Sequence, residues 1–297
     1  MVPSYRRPNA LKSCLHALVA QSLEPLEVIV VLRAEDQESR AVVARAGSPC
    51  RVVTVDRPGQ VAALNKGCES ARGEFIAITD DDAAPRPDWL RAIAARFAAD
   101  ARIGAVGGRD VVHHGDEIDG GEAALVGRVL WWGRRIGNHH LEARLQDVDF
   151  LKGANMAFRT AAWRPFDGRL WGEGAQVCND LEATWAVRRR GWRVVYDPEV
   201  EVDHYPAPRH DSDGREGRSA QADRDQEHNE TYALLRHAAW WHWPILFGYR
   251  VLVGSRQAPG LLLVARPGTP ASERRRARGL TAARLSALRS LRGAPRF

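Results

Sequence analysis

Three consecutive carboxylates, Asp80, Asp81 and Asp82, are the residues whose type and spacing point most directly to chemistry. They follow an apolar run, residues 75–79, and precede a proline-rich turn, residues 83–87. Carboxylates a few ångströms apart raise one another's pKa, so this group is costly unless a divalent cation or several hydrogen-bond donors lie between them. Ligands of open α/β sheets bind beyond the carboxyl ends of the strands. The triplet therefore predicts a metal site beside a substrate site, and the alternative is a solvated acidic turn.

The elements that must position the triplet alternate between short β-rich runs and helical runs. Apolar, β-branched runs predict strands at residues 28–32, 51–55 and 75–79, and residues 11–20 and 61–71 have apolar residues at helical spacing. This alternation is typical of a mostly parallel sheet with helices on both faces. The predicted fold class is therefore α/β.

The second half of the chain continues the pattern and then changes. Residues 155–159 and 193–196 predict strands, and residues 180–190 predict a helix. Residues 206–225 are polar, charged and poor in large apolar side chains, which predicts a linker or an exposed loop. We therefore predict one domain over residues 1–210, followed over residues 211–297 by the linker and a helical, basic region.

Charge is distributed unevenly along the chain. The formal net charge is +6, but residues 271–297 carry eight Arg against one Glu, so the remainder is close to neutral. A basic body would favour nucleic acid, whereas a basic end on a neutral body favours an anionic surface such as lipid headgroups. No nucleic-acid partner is expected. The four cysteines lack paired metal spacing and no secretory signal begins the chain, which predicts buried thiols in the cytoplasm.

Residues 238–253 are rich in aromatic and apolar side chains, but His242 and Arg250 interrupt them. A membrane-spanning helix needs about 20 mostly apolar residues, which this run does not provide. Tryptophans favour the headgroup region, and the later arginines would be attracted to anionic lipid, so an interfacial helix is predicted. The alternative is a helix packed on the first domain with a solvated basic tail.

Five short motifs occur in the order seen in bacterial family 2 glycosyltransferases, and together they cover roughly residues 1–210. They are Pro3-Ser4-Tyr5-Arg6-Arg7-Pro8, Ala63-Leu64-Asn65-Lys66-Gly67, Thr79-Asp80-Asp81-Asp82, Gly153-Ala154-Asn155-Met156-Ala157-Phe158-Arg159 and Asn179-Asp180-Leu181-Glu182. The chain resembles this family, and five ordered motifs are more specific than any single one. The resemblance implies a GT-A fold for a catalytic domain over residues 1–210.

The resemblance also implies an activity and a setting. The activity is the inverting transfer of a hexosyl or related group from a nucleotide-diphosphate sugar to a hydroxyl of a glycan or lipid-linked acceptor. The setting is bacterial cell-surface glycan synthesis in the cytoplasm, at the inner face of the plasma membrane. A non-catalytic nucleotide-sugar-binding subunit of a polysaccharide assembly is the alternative. A dinucleotide-dependent enzyme is disfavoured, because no glycine-rich fingerprint follows the first strand.

The resemblance assigns the triplet to the donor and its metal. Asp80 and Asp82 match the ends of the family's DxD motif, so Asp80 is expected to face the donor's ribose or sugar and Asp82 to reach Mn²⁺ or Mg²⁺. Asp81 is expected beside them in the donor site. His204 lies where relatives often place a histidine near the metal, and a neutral imidazole is a suitable ligand. The alternative for His204 is a structural role.

Asp180 matches the family's catalytic base at the start of a helix. An inverting displacement needs a carboxylate near the acceptor hydroxyl to take its proton as the new bond forms. The chain departs from the common Glu-Asp pair because residue 179 is Asn. In the alternative, Asp180 only stabilises the amino end of the helix.

Donor and acceptor contacts complete the predicted site. The donor is expected to meet residues after the first strand, at the end of the third and on the next helix, namely Pro3, Tyr5, Arg7, Asp56, Asn65 and Lys66. Aromatic rings stack on sugar faces, so the acceptor is expected near Trp131 and Trp132, together with Gly153 and Asn155. The second strand is not followed by the Asp-Asp-Gly-Ser of many relatives, which leaves the donor's base open.

Overall fold

The computed structural model describes residues 1–208 and 219–292. Its strands are β1 (Val2–Pro3), β2 (Val28–Arg33), β3 (Cys50–Val55), β4 (Phe75–Ile78), β5 (Ala83–Pro85), β6 (Ile103–His114), β7 (Glu117–Ile118), β8 (Arg128–Val129), β9 (Arg135–Ile136), β10 (Gln146–Asp147), β11 (Met156–Arg159) and β12 (Arg193–His204). Its α-helices are α1 (Pro8–Val19), α2 (Gln37–Ala46), α3 (Gln60–Glu69), α4 (Trp89–Ala99), α5 (Asn179–Arg189), α6 (Ala220–His237), α7 (Trp243–Gly248), α8 (Leu261–Ala265) and α9 (Ala271–Ser290). Single helical turns of other types occupy Trp240–His242 and Tyr249–Val253.

A three-stranded parallel sheet, in the order β1-β2-β3, forms the first half of the fold. Its central strand is covered on both faces: Val30 packs in the cluster that contains α1, and Ile29 and Val31 pack in the cluster that contains Ala63 of α3. Alternate side chains of a strand point to opposite faces, so an uninterrupted apolar run is required here. The predicted α/β class is confirmed.

The second sheet is mixed and runs in the order β10-β12-β6-β11-β4, with β5 paired to β12 and β7 to β6. Only β6 and β12 are parallel along this path; the other neighbours are antiparallel. The described residues between β6 and β11 contain no helix, and a parallel return would need such a crossover. The expectation of a mostly parallel sheet therefore holds for the first sheet and not for the second.

Residue Met1 joins the two sheets beside the site. Its nitrogen donates to Ala77 O at 2.7 Å, and its carbonyl accepts from Thr79 N at 3.2 Å. These bonds place β4 next to β1. As a result, the acidic triplet lies beside the carboxyl ends of the parallel strands. Open α/β sheets bind their ligands in the crevice at these ends.

A close approach of β12 to β6 shapes the other side of the site. The register between the two strands shifts between Asp197 and Glu201, opposite Gly108. A Cβ on Gly108 would collide with the carbonyl oxygens of Val200 and Asp197. Glycine is therefore required opposite this bulge of β12, which precedes the pairing of Val202 with Asp110.

The C-terminal helices pack on the sheets. Helix α6 contacts α5 and α9, and Tyr232 of α6 and Ala287 of α9 belong to the main buried cluster. The predicted boundary between residues 210 and 211 lies outside the described residues. The predicted loop over residues 206–225 is corrected in part, because helix α6 begins at Ala220, where the Ser219 hydroxyl accepts from Ala222 N at 3.0 Å.

Three of the four cysteines are buried as predicted, and Cys50 is only half-buried. Burial raises the pKa of both Cys68 and Cys178 to about 12, so these thiols stay protonated at neutral pH. In the described ranges, no helix combines the length and the apolar content that crossing a bilayer requires.

Candidate functional site

A cavity of about 320 Å³ opens at the carboxyl ends of the first strands. Its lining comes from strand ends, from the loops that follow them, from the amino end of α3 and from a loop before α5: Pro3, Ser4, Tyr5, Arg7, Val31, Arg33, Val55, Arg57, Pro58, Gly59, Gln60, Ala63, Asp80, Asp81, Asp82, Glu173, Gly174 and Ala175. Backbone amides, carboxylates and guanidinium groups thus converge on one crevice. This is the place where open α/β sheets bind ligands.

Several predicted donor residues lie in this cavity wall. Pro3 ends β1, Tyr5 and Arg7 come from the loop after it, and Asp80 follows the end of β4. The ring of Tyr5 has the guanidinium carbon of Arg33 at 5.8 Å from its centroid, so the wall combines a flat ring with a positive charge. Such a wall suits a nucleotide base and its phosphates.

Three other predicted donor residues lie outside the cavity lining. Asp56 and Lys66 are exposed, although neighbours of Asp56 do line the cavity. The amide of Asn65 is engaged with the backbone of Phe166, donating to its oxygen at 3.0 Å and accepting from its nitrogen at 2.7 Å. Asn65 therefore connects α3 to a loop in the second half of the chain. No contact among the residues that the structure describes supports the donor contacts predicted for Asp56, Asn65 and Lys66.

Asp81 is buried and holds the first loop against the triplet. Its carboxylate accepts from Ser4 Oγ at 2.6 Å and from Arg7 Nη1 at 2.7 Å. Burial raises the pKa of Asp81 to about 6, although Arg7 and Ser4 act in the opposite direction. Asp81 thereby positions Arg7 at the cavity wall, an arrangement that the sequence pattern did not specify.

Asp82 and His204 face each other next to the cavity. Asp82 Oδ1 lies 3.3 Å from His204 Nε2, and Asp82 Oδ2 accepts from Ala207 N at 2.9 Å. On the other side of the ring, His204 Nδ1 lies 3.1 Å from Asp110 Oδ1. Burial disfavours the charged imidazole, but the two carboxylates outweigh it and raise the pKa of His204 to about 9.

These atoms suit a divalent cation that takes the place of the proton on His204 Nε2, because only the neutral imidazole ligates a metal. A carboxylate oxygen and an imidazole nitrogen meet at one buried point, and the far nitrogen of the imidazole is held by a second carboxylate, a common support for metal-ligating histidine. Within residues 1–208 and 219–292, no cluster of three or more His, Cys, Asp or Glu side chains could hold a metal by itself. Mg²⁺ is typically bound by one or two carboxylates together with substrate phosphates, so a complete site here would also need oxygens of the donor.

The segment 152–155 connects the triplet to the predicted base. Lys152 pairs with Asp110, Gly153 N donates to Asp180 Oδ2 at 3.1 Å, and Ala154 O accepts from Thr79 Oγ1 at 2.9 Å. Three consecutive residues thus bind different parts of the site. This segment places Asp180 and the acidic triplet on the two sides of one loop.

Asn155 completes the segment as an internal anchor. Its side chain is 1% exposed, accepts from Trp89 Nε1 at 2.8 Å and donates to Val200 O at 2.7 Å and Arg109 O at 3.0 Å. These bonds use the amide to hold α4, β6 and β12 together. The acceptor contact predicted for Asn155 finds no support in this arrangement, whereas Gly153 contributes a backbone amide next to Asp180.

Asp180 lies half-buried in the first turn of α5. Besides Gly153, its carboxylate accepts from Leu181 N at 2.7 Å. The contact with Leu181 N is the one expected if Asp180 only stabilised the amino end of the helix. Together, the contacts with Gly153 N and Leu181 N fix the orientation of the carboxylate. Neighbouring Asn179 is buried and donates to the carbonyl oxygens of Ala175 and Gln176 at 3.1 Å, so it braces the cavity wall.

The predicted acceptor tryptophans lie on the turn between β8 and β9. Trp131 is 64% exposed and meets half-buried Trp132 edge to face, with 5.5 Å between ring centroids. Burial disfavours the charged form of nearby Arg135, and the carboxylates of Glu230 and, more weakly, Asp180 act in the opposite direction and raise its pKa. An acceptor role for the rings of this hairpin stays a prediction.

Sequence reasoning missed Asp110, Ser4 and Gln176. Asp110 supports His204, and the signal for it was the only carboxylate in strand β6, which also contains an arginine and two histidines. Gln176 accepts from Val61 N at 3.0 Å and so holds the start of α3 at the cavity. Ser4 lies in the first family motif, but no role was predicted for it, and no local pattern marks Gln176. The partners of both residues lie far away in the chain.

Comparisons with known proteins show the family of this chain. The family described as "Glycosyltransferase like family 2" matches residues 1–223. Glucosyl-dolichyl phosphate glucuronosyltransferase of Haloferax volcanii is 24% identical over 210 residues, covering 68% of this chain and 66% of that protein. The succinoglycan biosynthesis protein ExoO of Rhizobium meliloti is 36% identical over 115 residues, covering 38% of this chain and 33% of that protein. The chain thus spans less than two thirds of the length of these curated relatives.

Solved structures show the fold. Residues 1–349 of S. aureus TarS, in complex with UDP-GlcNAc, superpose with a TM-score of 0.64 at 14% identity, covering 96% of this chain and 80% of that one. GalNAc-T7 with UDP, GalNAc and Mn²⁺ gives a TM-score of 0.58 at 13% identity, covering 79% of this chain and 47% of that one. The fold is the GT-A fold implied by the motifs. With the family match over most of its length, the chain belongs to the glycosyltransferase like family 2.

Proposed function

We propose that the protein is a metal-dependent, inverting glycosyltransferase that moves a hexosyl or related group from a nucleotide-diphosphate sugar to an acceptor hydroxyl. The observation that carries this proposal is the segment 152–155, which bonds to Thr79 beside the acidic triplet and to Asp180 on its other side. One loop thereby holds the donor cavity and a carboxylate that could take the proton of the acceptor hydroxyl. That is the arrangement an in-line displacement requires.

The donor half of the reaction is served by the cavity at the strand ends. Tyr5 and Arg33 offer a ring and a charge for the nucleotide, and Arg7, fixed by Asp81, lies where a phosphate would enter. Asp82 and His204 would hold Mn²⁺ or Mg²⁺, which when bound neutralises charge on the leaving diphosphate. Asp80 is the remaining carboxylate for the donor's ribose or sugar.

The acceptor half requires removal of one proton. As the acceptor oxygen bonds to the anomeric carbon, its proton passes to the Asp180 carboxylate, and the bond from that carbon to the diphosphate oxygen breaks. One base on one face gives a single displacement and therefore inversion. The amide of Gly153 keeps Asp180 Oδ2 in place during this transfer.

Relatives support the substrate class. The TarS fragment was solved with UDP-GlcNAc, and a mannosyltransferase of Pyrobaculum calidifontis, PcManGT, with GDP-Man and Mn²⁺, at a TM-score of 0.51. The matched relatives include a protein of succinoglycan biosynthesis and one that acts on glucosyl-dolichyl phosphate. We therefore propose a glycan or lipid-linked acceptor, bacterial cell-surface glycan synthesis and a cytoplasmic location at the inner face of the plasma membrane.

Calorimetric titration with a panel of nucleoside diphosphates and nucleotide sugars tests the proposal directly. We expect one nucleotide to bind in the presence of Mn²⁺ and its affinity to fall at least about tenfold with chelator, because the metal bridges protein and phosphates. Binding without subsequent transfer to any acceptor glycan would favour the non-catalytic subunit. Absence of binding by every nucleotide would overturn the proposed donor site.

We also propose peripheral contact with an anionic membrane through the region after α6. Trp240 and Trp241 are 76% and 61% exposed and adjoin α7, whose Ile245 is also exposed. Tryptophan at a surface of this kind favours the headgroup layer. A truncation before α6 would not test this proposal, because Tyr232 and Ala287 belong to the main core and the protein would unfold.

Replacing Trp240 and Trp241 by Ala should weaken binding to vesicles of phosphatidylglycerol and phosphatidylcholine at least about tenfold, since two inserted rings are lost. Co-sedimentation of the full chain measures the effect. Leu26→Ala, which removes a comparably exposed apolar side chain on the loop before β2, is the control and should bind as wild type does. Equal sedimentation of all three proteins would exclude this surface.

A further inference from the structure

A second cavity, of about 460 Å³, lies among the C-terminal helices. Its walls come from the β8–β9 hairpin, α6, residues 249–258 and α9, and it shares no lining residue with the cavity at the strand ends. Five arginines and three carboxylates are among the described residues that line it. The cavity is therefore polar and carries an excess of positive charge.

The charge excess extends into the buried wall. Arg250 donates to Glu230 at 2.5 Å and to Glu227 at 2.7 Å, while Arg284 donates to Glu227 at 2.6 Å and Arg135 to Glu230 at 2.9 Å. Three guanidinium groups thus share two carboxylates. A buried charge without a counter-charge is expensive, so this wall is more stable when an anion is present.

Hydrogen-bond donors are also in excess. Arg250 is only 8% exposed, and its buried Nε has no hydrogen-bond partner in the part of the chain that the structure describes; the same holds for Nε of Arg135. By contrast, the two remaining nitrogens of Arg284 donate hydrogen bonds to the carbonyl oxygens of Ala258 and Pro259. The unused donors of Arg250 and Arg135 belong to two residues of the cavity wall.

Arg134 and Arg276 add two cations to the same lining. Arg134 is exposed, and Arg276 is half exposed and bonded to Asp223 at 2.8 Å. Guanidinium groups held at fixed angles match the oxygens of a tetrahedral anion better than they match a single halide ion. A cation would be repelled by this lining.

We propose that this cavity is a binding site for a phosphate group, separate from the donor site. The phosphate is either free in solution or part of a lipid headgroup, and both present the same oxygens to the arginines. The proposal does not depend on the transfer reaction, because the binding needs neither donor nor metal.

Titration of the full chain with inorganic phosphate, in chelator and without nucleotide, tests the proposal. We expect a dissociation constant at or below about 1 mM, measured by calorimetry with chloride held constant. The double variant Arg134→Gln/Arg276→Gln should bind at least about tenfold more weakly, since two charge-assisted contacts are lost. Both side chains are at the surface, where exposed ion pairs add little stability, so the variant should fold.

The matched control is Arg144→Gln/Arg278→Gln, which removes two exposed arginines that do not line the cavity, one of them on α9. It should bind phosphate within about twofold of wild type, because general charge is a weak contributor compared with direct contacts. An equal loss in both double variants, or phosphate binding by wild type no tighter than that of chloride, overturns the proposal. If phosphate binds in the donor cavity instead, its affinity will be the same for wild type and for both double variants. That result also overturns the proposal.

Vesicles that contain phosphatidic acid distinguish the two sources. Competition between these vesicles and inorganic phosphate, lost in the Arg134→Gln/Arg276→Gln variant, supports the site and identifies the headgroup as its ligand. Unchanged phosphate binding in the presence of the vesicles supports the site for soluble phosphate.

Discussion

Asp180→Asn lowers sugar transfer by about 10²- to 10⁴-fold, the usual contribution of a positioned general base, while donor affinity stays within about twofold of wild type. The carboxamide nearly preserves the shape of the side chain but does not accept the acceptor's proton at neutral pH. Because Asp180 does not line the donor cavity, metal-dependent nucleotide binding should persist. Single-turnover transfer and nucleotide calorimetry on the same preparation measure the two effects separately.

Folding must be checked alongside this variant. Gly153 N and Leu181 N donate to the two carboxylate oxygens of Asp180, and a carboxamide has only one oxygen. One donor loses its acceptor at a cost of about 1 kcal/mol, so a small fall in the unfolding temperature is expected. Asp88→Asn makes the same chemical change at an exposed position before α4 and should transfer sugar at the wild-type rate. Transfer by Asp180→Asn at the rate of this control would remove Asp180 from the mechanism.

Asp82→Asn removes the negative charge that faces His204 and lowers the metal-dependent part of donor affinity by about 10- to 100-fold. The carbonyl of the new side chain still accepts from Ala207 N, so the local backbone should stay in place. With chelator present, variant and wild type should bind the nucleotide equally weakly. Titration of Mn²⁺ at fixed nucleotide gives the loss directly.

A neighbouring carboxylate provides the matched control for Asp82. Asp203 also lies beside His204, but it pairs with Arg86 at 3.1 Å and His113 at 2.9 Å on the other face of β12. Asp203→Asn should therefore leave the dependence on Mn²⁺ as in wild type. If both substitutions reduce metal-dependent binding equally, the effect is one of general charge and Asp82 is not a ligand.

Local sequence patterns were sufficient for several of the elements that carry the site, but they did not predict β6, which carries Asp110. The apolar runs before the triplet and in β2 and β3 appear as strands, and the helix that begins with Asp180 is present within one residue of its predicted start. Apolar periodicity and turn residues act over a few positions, so a sequence reader sees them directly. The order of five motifs was likewise enough to identify the family.

The chain's own sequence did not reveal which polar side chains face the cavity. Asn65 and Asn155 belong to motifs of the family. However, the side-chain amide of each donates a hydrogen bond to a backbone oxygen, 101 positions away for Asn65 and 45 positions away for Asn155. Asp110 and His204 are 94 positions apart and meet only because β6 and β12 pair in parallel after the bulge at Gly108. A buried amide or carboxylate is satisfied by whatever the packing brings near it.

The C-terminal region shows the same division between sequence and tertiary structure. Its basic composition and its generally helical character were predicted from the sequence, whereas the start of α6 at Ala220 was not. Arg250 interrupts an aromatic run, and Arg284 lies in the basic tail that was expected at an anionic lipid surface or, in the alternative, in solvent. Both residues are buried beside Glu227. The sequence shows at which positions the positively charged side chains occur. Only the packing of α6 against α9 decided which cations became a cavity wall, because burial of a charge depends on partners that come from distant helices.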